Sequence, residues 1–151
     1  MAPTEEGRLT ESTGCVARHF NHVAIAVRDI EATLDFYHAT FGVDTGGVVE
    51  IADQKVKAAL VRVGGSQLEF IQPTDEGGGV ARFIESRGEG VHHICFEMEG
   101  LPDRLKQLKD AGVRLIDEVP REGLSGEIAF IHPKATGGVL IELVDSATAR
   151  R

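Results

Sequence analysis

The sequence predicts an α+β fold: two paired βαβββ modules whose sheets lie side by side and curve into a cup-shaped mixed sheet. Three observations predict it. The chain repeats itself, because His22-Val23-Ala24-Ile25-Ala26-Val27 is answered by His93-Ile94-Cys95-Phe96-Glu97-Met98 at a shift of 71 residues, from 22 to 93. The same shift lays Ile30 on Leu101, Leu34 on Leu105 and Tyr37 on Leu108. Further on, Gln67-Leu68-Glu69-Phe70 is answered by Leu140-Ile141-Glu142-Leu143 at a shift of 73, from 69 to 142, so the halves differ by a two-residue insertion or deletion. Neither half is large enough to bury a good core alone, and pairing the two sheets solves that problem.

Residues 1–18 are polar, with scattered Pro, Gly, Ser and Thr and no apolar period, and read as a flexible tail. The first module spans about 19–73. Its opening strand holds His22 to Val27. Asp29 is the N-cap of a helix in which Ile30, Leu34, Tyr37 and Phe41 recur at helical spacing, and Gly42 closes it. Residues 46–52 and 56–63 are rich in β-branched side chains and read as strands. Gly64-Gly65 turns the chain into a third strand at 67–71. A loop at 73–79 leads into a short helix that buries Val80, Phe83 and Ile84 and ends before Gly88. This segment, about 74–89, has no copy and reads as the linker. The second module, about 90–145, repeats the order. A strand at 91–98 precedes a helix with Pro102 in its first turn and Leu101, Leu105 and Leu108 on its buried side, stopped by Gly112. Strands are predicted at 113–119, 127–132 and 139–144, with loops at 120–126 and 133–138.

Composition narrows the function classes. The 151 residues suit one domain of two fused modules. A net charge of −8 argues against a nucleic-acid surface. No apolar run approaches the roughly 20 residues of a membrane span. Two cysteines, one in the tail and one in a strand, make no disulfide framework and suit a reducing, cytoplasmic setting. There is no signal-peptide core, and Glu5, Glu6 and Glu11 argue against a mitochondrial transit peptide.

The chemistry lies in the repeat. Side chains alternate along a strand, so His22 shares a face with Ala24 and Ala26, and His93 with Cys95. Small neighbours leave room for an ion or ligand. Glu69 and Glu142 each sit between apolar residues, where an ionised carboxylate is costly unless paired, coordinated or solvated by a cavity. Four such groups at matched positions predict that His22, Glu69, His93 and Glu142 form a metal site in the cup. Nitrogen and oxygen donors of this kind suit cobalt, manganese, nickel, iron or zinc better than calcium or magnesium. His92 is assigned to the opposite face, His19 and His38 to exposed positions and His132 to the rim; none is a ligand candidate.

These residues carry a resemblance. The repeat with its His and Glu positions resembles the vicinal oxygen chelate superfamily, of the glyoxalase/bleomycin-resistance-like fold. More specifically, the chain is similar to the methylmalonyl-CoA epimerase family through three segments: His22 to Val27, Arg87-Gly88-Glu89-Gly90-Val91-His92-His93-Ile94, and Phe130-Ile131-His132-Pro133-Lys134 running on through Gly137-Gly138-Val139-Leu140-Ile141-Glu142-Leu143. The resemblance covers about 21–144. It implies an isomerase that interconverts the 2R and 2S forms of methylmalonyl-CoA by proton transfer at C2, through an enolate that a divalent metal stabilises. It implies that Glu142 both binds metal and acts as a base, that His22, Glu69 and His93 complete the ligand set, and that cobalt is the first choice of ion. It also implies a second carboxylate on the strand before Glu69. Ungapped counting reaches about Ala58, which cannot accept a proton, while Glu50 in Gly47-Val48-Val49-Glu50-Ile51 resembles the motif locally. Glu50 is therefore the candidate second acid/base, with Glu69 or a water as alternatives. Lys134 is the candidate contact for the CoA phosphates, with Arg82, Arg87 and Arg121 nearby in the sequence pattern. A homodimer is implied by analogy with the family. The rivals are a glyoxalase I-like metalloisomerase using the same four ligands, an extradiol dioxygenase using three, and a non-catalytic binding protein of the same fold.

Overall fold

The computed structural model describes residue 9 and residues 11–151. Within the tail read at 1–18, residues 1–8 and 10 lie outside the described ones. Ala17 and Arg18 already belong to the first strand, β1, which runs Ala17–Ala26. The other elements follow as α1 Ile30–Phe41, β2 Val49–Ile51, β3 Val56–Val63, β4 Ser66–Pro73, α2 Gly79–Arg87, β5 Gly90–Met98, α3 Leu101–Asp110, β6 Arg121–Gly123, β7 Gly126–Ile131 and β8 Ile141–Asp145. The predicted βαβββ order therefore stands in both halves. No helix among the described residues is long and apolar enough to cross a membrane.

The backbone forms two compact units, His22–His92 in one and His93–Arg150, with residues 11–21, in the other. In the His22–His92 unit the strand order is β2-β3-β4-β1. β1 and β4 run parallel, with His22 opposite Gln67 and Ala24 opposite Glu69. α1 crosses one face of this sheet. Asp29 caps it by accepting the Ala32 amide at 3.0 Å, and Gly42 ends it in the left-handed region, φ +64°. The helix buries Ile30 and Leu34 against Val27, Ala59, Val61 and Phe70, and Tyr37 packs edge-on to Phe70 at 4.7 Å.

In the His93–Arg150 unit the strand order is β1-β5-β8-β7-β6. β5 and β8 run parallel, with Ile94 opposite Ile141 and Cys95 opposite Glu142. α3 starts with Pro102 in its first turn and buries Leu101, Leu105 and Leu108 against Met98, Ala129 and Leu143. The start of β1 is held in this unit by Phe20 packed edge-on to Phe96 at 6.0 Å and by Asn21 Nδ2 donating to Glu97 Oε2 at 3.1 Å.

The strand predicted at 113–119 is the main correction. Only Leu115 makes a bridge there, to Ile131, and the regular strand is the short β6, inside the predicted 120–126 loop. The amides of Ile116 and Asp117 both donate to the one carbonyl of Phe130, at 2.9 and 3.2 Å. Two residues opposing one is a bulge, and it breaks the ladder. The Asp117 carboxylate then takes the Phe130 amide at 2.9 Å, replacing a backbone partner. The strand predicted at 46–52 shortens to Val49–Ile51 because a 3-10 turn follows at Ala52–Gln54.

Candidate metal and acid-base site

Each unit carries one buried His–Glu pair, built by the same register. A residue on one strand and its partner opposite point to the same face, as do residues two apart on one strand. His22 and Ala24 therefore share a face with Glu69. His93 and Cys95 likewise share a face with Glu142. The small residue two positions after each histidine is the one opposite the glutamate, so the carboxylate can lean over it toward the imidazole. His22 Nε2 lies 3.3 Å from Glu69 Oε2 in the first unit, and His93 Nε2 lies 3.5 Å from Glu142 Oε2 in the second. All four side chains are buried.

These separations bear on what the pairs can hold. Two donors each about 2.1 Å from a divalent ion, at the angles of tetrahedral or octahedral coordination, stand about 3.0–3.4 Å apart. The His22–Glu69 pair, at 3.3 Å, sits inside that range, and the His93–Glu142 pair, at 3.5 Å, lies just beyond it. Burial pushes the His22 imidazole down to about 4, so at neutral pH it is uncharged and carries the lone pair that a metal needs. Burial also pushes the Glu142 carboxyl up to about 7, against the opposing pull of hydrogen bonds from Cys95 and Ser125 and of the Arg121 charge. A carboxylate poised near neutrality is what a general base requires.

The surroundings of Glu142 are more elaborate than the sequence reading foresaw. The Ser125 hydroxyl donates to Glu142 Oε1 at 3.1 Å, and Ser125 is buried. Phe130 stands opposite Glu142 on β7 and packs edge-on to the His93 ring at 5.2 Å. Arg121 lies over the Phe130 ring at 5.5 Å and is tied to Asp117 through Nε at 3.2 Å. Sequence reasoning missed Ser125 and Asp117 and gave Arg121 a phosphate instead. The available signal was the Gly123-Leu124-Ser125-Gly126 turn beside the glutamate-bearing strand, which has no copy in the first half.

Other candidates stand elsewhere. Glu50 is exposed and opposite Lys57, whereas Glu69 is opposite Leu60 and hence on the face of Ala58. Alternation along β3 puts Lys57, and therefore Glu50, on the far face from Glu69. Ala58 is fully buried on the Glu69 face. Lys134 is exposed in a 3-10 turn, Pro133–Ala135, with its amide donating to His132 Nδ1 at 3.0 Å. Arg82, Arg87 and Arg121 are exposed. His92 points to the opposite face from His93 and packs edge-on to Phe83 at 4.9 Å. Burial, helped by the nearby Arg87 charge, pushes it down to about 4. His19 and His38 are exposed, the latter with Nδ1 2.9 Å from the Val43 carbonyl.

Comparison with known proteins identifies the family. Residues 21–130 match the model of the Glyoxalase/Bleomycin resistance protein/Dioxygenase superfamily. The uncharacterized protein YqjC of Bacillus subtilis is 39% identical over 126 residues, 83% of this chain and 90% of that protein. The ethylmalonyl-CoA/methylmalonyl-CoA epimerase of Cereibacter sphaeroides is 36% identical over 126 residues, 82% of this chain and 94% of that one. Among solved structures, a Streptomyces coelicolor methylmalonyl-CoA epimerase variant in complex with 2-nitronate-propionyl-CoA superposes with a TM-score of 0.83 at 33% identity, covering 90% of this chain and 100% of that one.

Proposed function

This chain belongs to the glyoxalase/bleomycin resistance protein/dioxygenase superfamily and, within it, to the methylmalonyl-CoA epimerase family, and from that premise we propose that it interconverts (2R)- and (2S)-methylmalonyl-CoA. The observation that carries the reading is the duplicated His–Glu pair, buried twice at the same register with 3.3 and 3.5 Å between nitrogen and oxygen. His22, Glu69, His93 and Glu142 hold one divalent cation, with cobalt the first candidate. A bound cation supplies a Lewis acid that stabilises negative charge on the substrate's thioester and carboxylate oxygens.

The C2 proton lies between a thioester and a carboxylate, so its loss leaves an enolate. Glu142 removes it, since its carboxyl is poised near neutrality. Asp117 anchors Arg121, whose positive charge favours the ionised form of Glu142 while the Asp117 charge opposes it. Inversion needs a proton returned to the opposite face of the enolate. Glu50 lies on the far face of its sheet from Glu69, so this step falls to Glu69 or a water. Lys134, exposed on its turn, contacts the CoA phosphates as a point charge. Two free cysteines suit a cytoplasmic setting, and a homodimer follows the family pattern.

The test is proton NMR of methylmalonyl-CoA in D2O with the purified protein, before and after chelation and cobalt add-back. Loss of the C2 proton signal that chelator stops and cobalt restores is the expected result. A metal-loaded protein with no exchange above the uncatalysed rate would discard the epimerase reading in favour of a glyoxalase-like one.

A further inference from the structure

The two oxygens of Glu142 have different neighbours. Oε2 faces His93 Nε2 at 3.5 Å, while Oε1 accepts the Ser125 hydroxyl at 3.1 Å. A carboxylate that gives one oxygen to a cation keeps its plane only if the other is tied. Ser125 is 1% exposed and lies in the turn between β6 and β7.

That turn is itself clamped from outside the sheet. The Arg150 amide donates to the Ser125 carbonyl at 2.8 Å. Arg150 Nη1 donates to the Gly123 carbonyl at 3.1 Å and also to that of Leu124. Thr148 Oγ1 accepts the Glu127 amide at 2.9 Å. A Cβ on Gly126, where φ is +137°, would come within 2.7 Å of the Thr148 carbonyl oxygen, so residues 148–150 press directly on the turn. Asn21 Nδ2 in turn donates to the Arg150 carbonyl at 3.3 Å.

We infer that Ser125 is a positioning residue for Glu142, and that Arg150 holds Ser125 in place from the segment after β8. The hydroxyl orients the carboxylate so that Oε2 stays on the His93 side. The inference rests on the proposed role of Glu142 as metal ligand and base.

The experiment compares wild type with Ser125→Ala, Arg150→Met, Arg150→Lys and, as a control in the same turn, Leu124→Ala. Cobalt titration followed by visible absorption is read beside C2 exchange in D2O and the melting temperature. Ser125→Ala is expected to weaken cobalt binding about 10–100-fold, to shift the visible band, and to lower kcat with KM nearly unchanged. Arg150→Met should move the same readouts the same way by less, Arg150→Lys should recover part of the loss, and Leu124→Ala should match wild type. Wild-type cobalt affinity, spectrum and kcat in Ser125→Ala would overturn the inference, as would equal losses in Leu124→Ala. Should wild type bind cobalt without exchanging C2, the proposed reaction fails and the cobalt readouts alone decide Ser125. Should it exchange C2 without cobalt, the metal reading fails and kcat decides. A wild type that does neither overturns both.

Discussion

In the first half, the register neighbours of Glu69 are Ala24 and Leu60, which offer no side-chain polar atom. In the second, Glu142 has Cys95 opposite it on β5, Phe130 opposite it on β7, and the Ser125 hydroxyl on Oε1. The backbone plan is the same, and so is the spacing of each glutamate from its histidine. The difference lies in the third partner. The buried His–Glu pair recurs in both halves, and around Glu142 the Ser125 hydroxyl and the Arg121–Asp117 pair stand beside it. Strand register needs only a few positions to reproduce; the segment after β4 also braces the turn between β2 and β3, with the Thr74 amide donating to the Lys55 carbonyl at 2.9 Å, but the serine on that brace is particular to the second half.

That asymmetry can be broken most sharply at the two glutamates. Glu142→Gln should lower C2 exchange by about 10³-fold, because it removes the base as well as an anionic ligand. Exchange measured by NMR with saturating substrate checks it. A loss under tenfold would make the halves equivalent.

The scaffold, by contrast, should respond alike in both halves. Leu34 and Leu105 occupy repeat-related positions and are both buried, in separate clusters. Leu34→Ala and Leu105→Ala should each cost about 2–5 kcal/mol, read from urea unfolding. A difference larger than that range would show that one half carries the fold.

A pH dependence should separate the halves again. The Glu142 carboxyl stands near 7 in the metal-free protein, and a cation must displace its proton. Below pH 7 the apparent cobalt affinity should therefore fall about tenfold per pH unit from this group, and it should level off above. His22, near 4, adds no slope in that range. The same shift has a sign for stability. The Glu142 carboxyl is raised from 4.5, so the folded metal-free chain keeps a proton that the unfolded chain releases; this stabilisation is full below about 4.5 and is lost as pH rises through 7. His22 is lowered from 6.5, so its contribution is lost as pH falls through 6.5 toward 4. Melting temperature against pH checks both. The smallest effect belongs to Glu69→Gln, which keeps an oxygen donor and should lower exchange by less than about tenfold.

The repeat made the βαβββ order and both His–Glu pairs legible before any coordinates. Alternation already put His22 with Ala24 and His93 with Cys95, and the register confirms that each glutamate joins its histidine. What stayed hidden depended on pairing rather than pattern. Glu50 looks like a candidate in the one-dimensional text, but its face depends on Lys57 being its partner across β2 and β3. Residues 113–119 are as β-branched as a strand, yet the Asp117 side chain takes the Phe130 amide and ends the ladder. Ser125 sits in a segment that reads only as a glycine-rich loop, and its meaning comes from the carboxylate beside it.

The central claim is that two repeat-related pairs serve one cation, and cobalt stoichiometry tests it most directly. Titration of the metal-free protein should give one equivalent per chain, and His22→Ala with Glu69→Ala, or His93→Ala with Glu142→Ala, should each abolish tight binding. Two equivalents per chain, or a full tight equivalent surviving the loss of either pair, would contradict it.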